Sequence, residues 1–405
     1  MDTAQITRTI TNLIAIPSVA DNTPALRASL AVIAGMLAGV PGITVEQLES
    51  NNKPSLLAYA GTVRPAAFTV LLHGHLDVVA GKAEQFTPRT VDGRLYGRGA
   101  ADMKAAAVLM TDVFRRTATA LPYALGLQMV TDEETGGYHG VRHQLHNGVR
   151  TNFAVTGEHN FHDNVIYNAA RGICWIEVTF SGQTAHGAYV WHGDNAADKA
   201  ARFAQAVMAH YPRPAGEVWA TTANIASLHT ANTTFNRIPD HASLRIDFRF
   251  TAEDPVFRSR DSVAAFVRSI DPQAAITSFE VMDPAVHVAE SNPYVQRLAA
   301  ALAQTTGQPI RFQSRPAASD GRHFAVLGMD AVEYGVTGHG PHSDNEYIEL
   351  RSLKPYAATL EAFVTDPALP LTAKETQNES RTHRTIASQP ARRHPHRDRA
   401  VAGQR

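Results

Sequence analysis

Residues 68 to 79 read FTVLLHGHLDVV. Phe68, Val70 and Leu72 alternate with Thr69 and Leu71, which has the length and composition of a short buried strand. The apolar run then stops in His73, Gly74, His75, Leu76 and Asp77. In an open α/β sheet, ligands bind beyond the carboxyl ends of the strands. In extended chain His75 and Asp77 project from the same side. That is the spacing of an imidazole metal ligand and the carboxylate that orients its ring. Taken alone, the same residues also read as a polar turn at a strand end.

Upstream, Ile6, Ile10, Leu13 and Ile14 recur at helical spacing and Pro17 stops that helix. Thr23 and Pro24 read as the cap and first turn of a second helix, ended by Pro41-Gly42. Ile43 to Leu48 and Ser55 to Tyr59 read as strands. Downstream, a helix from Met103 to about Arg116 follows a glycine-punctuated loop, and Leu125 to Val130 is again a strand. Strands interleaved with helices predict an α/β unit with a mixed, largely parallel sheet flanked by helices.

The pattern changes near Ala170. Ile173 to Phe180 alternates, a helix runs from about Asn195 to His210, and a strand lies near Thr222 to Leu228. Ala242 to Phe250 alternates cleanly, followed by a helix from Arg258 to Ile270 and a strand from Ala275 to Val281. The order β-α-β-β-α-β predicts a ferredoxin-like α+β unit with a one-sided antiparallel sheet. The α/β style then returns. The expected division is an α/β domain in two parts, 1–169 and 284–368, interrupted by the α+β domain at 170–283. Residues 369–405 are expected to be a disordered basic tail. From Thr372 onward it holds eight Lys/Arg against three Asp/Glu, a net of +5 that leaves −6 elsewhere.

Composition narrows the functional classes. A formal net charge of −1 gives no global drive towards nucleic acid or an acidic membrane surface. One cysteine, Cys174, excludes an internal disulfide framework and any multi-cysteine zinc site. Metal chemistry must then rest on His, Asp and Glu. With no basic region before an apolar core at the N-terminus and no run approaching roughly 18 apolar residues, no signal peptide or membrane span is expected. A cytoplasmic protein is the expectation.

Four further segments place metal-competent residues where a strand or loop should end. YGRGAADMK (96–104) sets Asp102 just ahead of a helix; it matches no phosphate-binding motif, and Asp102 could equally cap the helix. TDEETGG (131–137) puts three carboxylates directly after a strand. Such neighbours repel, and a cation or raised pKa values would relieve them, although the segment taken alone also reads as three solvated loop acids. GEHN (157–160) follows a strand around Phe153 to Val155, and GHGPHSDNEY (338–347) carries His339 and His342.

With SGQTAHGA (181–188), NRIPD (236–240) and SDGRHF (319–324), these motifs stand in the order and at the separations of a known family. Over roughly residues 5 to 365 the chain resembles the co-catalytic zinc aminoacylases and carboxypeptidases, which include acetylornithine deacetylase, succinyl-diaminopimelate desuccinylase and glutamate carboxypeptidase. The resemblance implies two Zn²⁺ per subunit, with Co²⁺ or Mn²⁺ as possible substitutes. His75, Asp102 and Glu158 would hold one ion. Asp102, Glu134 and His342 would hold the other, with Asp102 bridging. Residues 1–169 and 284–368 would be the catalytic domain and 170–283 a lid and dimerisation domain. Glu133 would be the general base, Asp77 would fix the His75 ring, and His186 would reach the oxyanion across a homodimer interface. Arg322 and Asn236 would grip a substrate carboxylate. Relatives usually carry proline after the ligand at Glu158, where this chain has His159.

The leading expectation is therefore a zinc amidohydrolase that cleaves an N-acyl amino acid with metal-activated water. An exopeptidase or dipeptidase acting on a short peptide is the alternative. A non-catalytic homologue that binds an amino-acid derivative comes third, and it would have no need of Glu133. No nucleic-acid or membrane partner is expected.

Overall fold

The computed structural model describes residues 3–369. The expected basic tail lies outside the described residues except for Leu369, which is buried in the main core rather than loose.

A nine-stranded mixed sheet forms the centre. Four of its strands are mutually parallel neighbours: Leu125–Val130, Phe68–His75, Thr151–Thr156 and Asp330–Glu333. Every residue of the first two is buried, as befits strands covered by helices on both faces. Most flanking pairs are antiparallel, while Arg311–Arg315 runs parallel to Val165–Ala170, so the sheet is mixed, as expected, with most of its parallel pairing at the centre. On one flank, Ile43–Ser50 and Lys53–Ala60 form a hairpin. Asn51 and Asn52 both have positive φ there, the backbone that a two-residue hairpin turn requires. On the other flank, Val165–Ala170, Val286–His287 and Arg311–Arg315 extend the sheet, and sequence periodicity did not predict these three strands.

The helices bury the faces that their sequences dictate. Thr3–Ile14 buries Ile6, Ile10, Leu13 and Ile14. Thr23–Leu37 has Pro24 in its first turn, but its cap is Asn22, whose side chain accepts from the Ala25 N–H, not Thr23. Ala105–Thr117 packs between the sheet and the closing helix Leu353–Val364.

The stretch from Gly172 to Asp283 builds a separate four-stranded antiparallel sheet. Its spatial order is Thr222–His229, His241–Phe250, Gly172–Ser181, Ala275–Asp283. This is the strand order expected of a β-α-β-β-α-β unit. One face (Cys174, Ile176, Val178, Phe180, Leu244, Ile246, Phe248) packs on Ala200, Phe203, Val207, Val263 and Val267 of helices Ala196–His210 and Arg260–Ile270. Removing Phe203 from that core would cost about 3–5 kcal/mol. The opposite face carries the partly exposed Trp175 and Arg245. The chain crosses between the two sheets twice, at Arg171 and at Pro284-Ala285, and the crossings lie side by side.

Candidate metal centre

Parallel strands share a carboxyl edge, and the chemistry gathers there. His75 is the last residue of its strand, Thr131–Gly137 follows Val130, and Gly157-Glu158 follows Thr156. The strand Phe68–His75 runs three residues further than the apolar pattern suggested. His73 and His75 pair in the ladder with Gln128 and Val130. The His73 ring is satisfied inside the core by Gln128 Oε1 at 2.8 Å and Asp320 Oδ2 at 3.0 Å.

Two trios of ligand-type atoms meet, with the atoms of each within 4.8 Å of one another: His75, Asp102 and Glu158, and Asp102, Glu134 and His342. His75 Nε2 lies 3.0 Å from Asp102 Oδ1 and 3.7 Å from Glu158 Oε1. His342 Nε2 lies 3.3 Å from Asp102 Oδ2 and 3.1 Å from Glu134 Oε2. Asp102 thus turns one oxygen to each histidine. It does not cap a regular helix. The helix proper begins at Ala105, and Asp102 sits in a wide irregular turn with φ −117° and ψ 93°.

That turn has a buried anchor that sequence reasoning left without a role. Glu346 accepts the backbone N–H groups of Gly99, Ala101 and Asp102 at 3.0, 3.0 and 3.1 Å, and Arg98 at 2.8 Å. It therefore ties the Asp102 turn to the loop that presents His342. The only sequence signal was its place in GHGPHSDNEY. Asp77 also does more than orient the His75 ring. The nearest acceptor to His75 Nδ1 is the Asp77 main-chain carbonyl at 3.1 Å, with its carboxylate at 3.5 Å. The carboxylate itself accepts the N–H groups of Glu133 and Glu134, at 3.2 and 2.9 Å.

The electrostatics suit a cation. Hydrogen bonds to Asp102 and Glu134 raise the His342 pKa to about 10. For His75, burial opposes the charge, but hydrogen bonds to Asp102 and Asp77 outweigh it and hold the pKa well above the ordinary value. Burial, then the Asp102 charge, raises Glu158. Burial, then Asp320, raises Glu133. Among protein groups alone, protons on the histidines balance the crowded carboxylates, and a divalent ion would displace them. Two imidazoles with three carboxylates are a donor set that fits zinc. Cys174, the sole cysteine, is buried in the other sheet and offers no thiolate.

The remaining expected residues separate. His186 and Asn236 are exposed on the four-stranded unit and adjacent to each other: Gly187 N–H donates to the Asn236 carbonyl at 2.7 Å. The Ala188 N–H donates to His186 Nδ1 at 3.1 Å. Neither residue belongs to the two trios. Arg322 is buried. Its Nε–H donates to Asp283 at 3.2 Å, and its two terminal nitrogens donate to the carbonyls of Ser319 and Gly136 at 2.8 Å each. His159 is buried and turned to Arg315, which donates to its ring at 3.4 Å and to its carbonyl at 2.7 Å. The neighbouring Glu158 keeps its place beside His75.

A sequence model of peptidase family M20/M25/M40 matches residues 71–366, and the chain belongs to that family. It is a hydrolase acting on amide bonds. Among its relatives, the succinyl-diaminopimelate desuccinylase of Herminiimonas arsenicoxydans is 28% identical over 335 residues, covering 78% of this chain and 87% of the relative. The enzyme of the same name from Janthinobacterium sp. (strain Marseille) is 28% identical over 345 residues, covering 79% and 90%. Among solved structures, aminopeptidase PepT from Bacillus cereus superposes with a TM-score of 0.69 at 19% identity, covering 90% of this chain and 98% of that one. The M20 family metallo-carboxypeptidase Sso-CP2 from Sulfolobus solfataricus gives 0.67 at 14%, covering 90% and 99%. Both share the fold.

Proposed function

We propose that this protein is a dinuclear zinc deacylase that hydrolyses the amide bond of an N-acyl amino acid. The observation that carries the reading is Asp102, with one oxygen beside each histidine and Glu133 next to Glu134 in the adjoining turn. His75, Asp102 and Glu158 would hold one ion, and Asp102, Glu134 and His342 the other. Bound there, the ions supply a Lewis acid for the amide carbonyl and lower the pKa of a water. Glu133, its carboxyl pKa raised by burial, takes the water proton and hands it to the departing amine. Asp77 holds the His75 ring and the backbone of the turn that carries Glu133. Residues 170–283 form a lid through which two chains pair, and His186 of one chain donates to the developing oxyanion in the other. Asn236, exposed beside His186, meets the substrate carboxylate.

The desuccinylase relatives favour deacylation over peptide cleavage, because they resemble this chain in sequence over most of its length. The peptidases among the solved structures are similar in fold alone. A panel of N-succinyl, N-acetyl and N-formyl amino acids, assayed beside dipeptides with zinc added, tests the proposal. Amine release from an acyl amino acid is expected. Cleavage of dipeptides only would replace deacylase with exopeptidase.

A further inference from the structure

Asp283 is the last residue of the strand Ala275–Asp283, at the point where the chain leaves the four-stranded unit for the central sheet. It is almost fully buried. Its Oδ2 accepts from Arg322 Nε at 3.2 Å and from the Tyr138 hydroxyl at 3.3 Å, and its Oδ1 lies 3.8 Å from Arg142. A carboxylate with these partners, placed at a crossing between two units, is a junction rather than a surface ion pair.

The other end of the junction is the turn that carries Glu133 and Glu134. Gly136 closes that turn with φ +108°, and its N–H returns to the Glu133 carbonyl at 2.8 Å. The Gly136 carbonyl accepts twice, from Arg322 and from His323 Nε2, each at 2.8 Å. The turn is thus held at its start by Asp77 and at its end by Arg322. The one guanidinium that fixes the end also holds the crossing carboxylate, and Tyr138, directly after the turn, touches the same carboxylate.

We propose that Asp283 and Arg322 are positioning residues that couple the orientation of the 170–283 unit to the turn carrying Glu133 and Glu134. When the unit swings about Arg171 and Pro284-Ala285, Asp283 moves with it. Arg322 passes that displacement to the Gly136 carbonyl, so that the base is aligned in one orientation of the lid. This rests on the reading of Glu133 as the base. It gives Arg322 a part other than holding a substrate carboxylate.

The test is Asp283→Asn, together with Arg322→Gln and the double variant. The double variant avoids leaving the buried Arg322 charge without the Asp283 carboxylate, which could unfold the single one. Kinetics and amide hydrogen exchange of residues 133–137 are measured at equal metal content. Coupling is expected to lower kcat by about 10- to 100-fold with KM changed by less than about twofold, as displaced catalytic groups do. Exchange in the turn should rise in each variant, and the double variant should be no worse than the poorer single one. If Arg322 instead grips substrate, Asp283→Asn frees the guanidinium and KM falls. That result, or unchanged exchange at 133–137, would overturn the proposal. If wild type hydrolyses nothing in the panel, the functional reading fails, while exchange in the turn still decides the coupling.

Discussion

Asp102 Oδ2 lies 3.3 Å from Nε2 of His342, while the other oxygen of the same carboxylate faces His75. One side chain therefore belongs to both trios, and its removal should be felt at both. In the Asp102→Ala variant, metal retained after dialysis is expected to fall from about two equivalents to nearly none, since a two-ion site needs its shared ligand. Elemental analysis reads the result directly. Retention of one tightly held equivalent would show that one trio binds without the bridge.

Glu133→Gln keeps the shape of the side chain and removes its basicity. Metal content is expected to be unchanged and turnover to fall by about 10²- to 10⁴-fold, the usual contribution of a positioned base. Near-normal rates would mean that another group takes the proton.

His186 and Asn236 lie together on the four-stranded unit and outside both trios, and with the pairing proposed for this unit, activity should require a second chain. Two inactive variants, His186→Ala and Glu133→Gln, are mixed under conditions that exchange subunits. A heterodimer then holds one complete site, and the 1:1 mixture should recover about a quarter of wild-type activity in a two-fold dimer. No recovery despite demonstrated exchange would place His186 outside the partner's site.

Burial, and then the charge of Arg315, lowers the His159 pKa from 6.5 to about 4. Between these values the unfolded chain binds a proton that the folded chain does not, so stability is present above about pH 6.5 and is lost as pH falls towards 4. Asp132 works in the opposite sense, its pKa raised to about 7 by burial and the Asp320 charge, so wild type must be compared with a variant. Urea unfolding at pH 7 and 4.5 should show wild type losing about 2–3 kcal/mol more than His159→Gln. Equal losses would mean that the His159 ring is protonated in the folded protein.

Much of this was legible in the chain. Alternation from Ile173 to Phe180 and from Ala242 to Phe250 marked the strands of the four-stranded unit, because one-sided burial leaves a period of two. The strand Leu125–Val130 was visible as an apolar run for the opposite reason, being buried on both faces. Short or polar strands such as Arg311–Arg315 carry neither signal, since their place is decided by pairing with Val165–Ala170. At the site, motif order brought out the five ligand-type residues. The roles of Glu346 and Asp283 were hidden, because a carboxylate that accepts backbone N–H groups or meets a guanidinium at a chain crossing leaves no spacing to read.

Metal-dependent amide hydrolysis at the Asp102 centre is best tested by reconstitution. Protein stripped with a chelator, its metal removal verified by elemental analysis, is titrated with Zn²⁺ while amine release from an N-acyl amino acid is followed. Stripped protein should be inactive, with activity climbing to a plateau at about two equivalents per chain. Full turnover by protein shown to contain no metal would rule out a metal-dependent reaction.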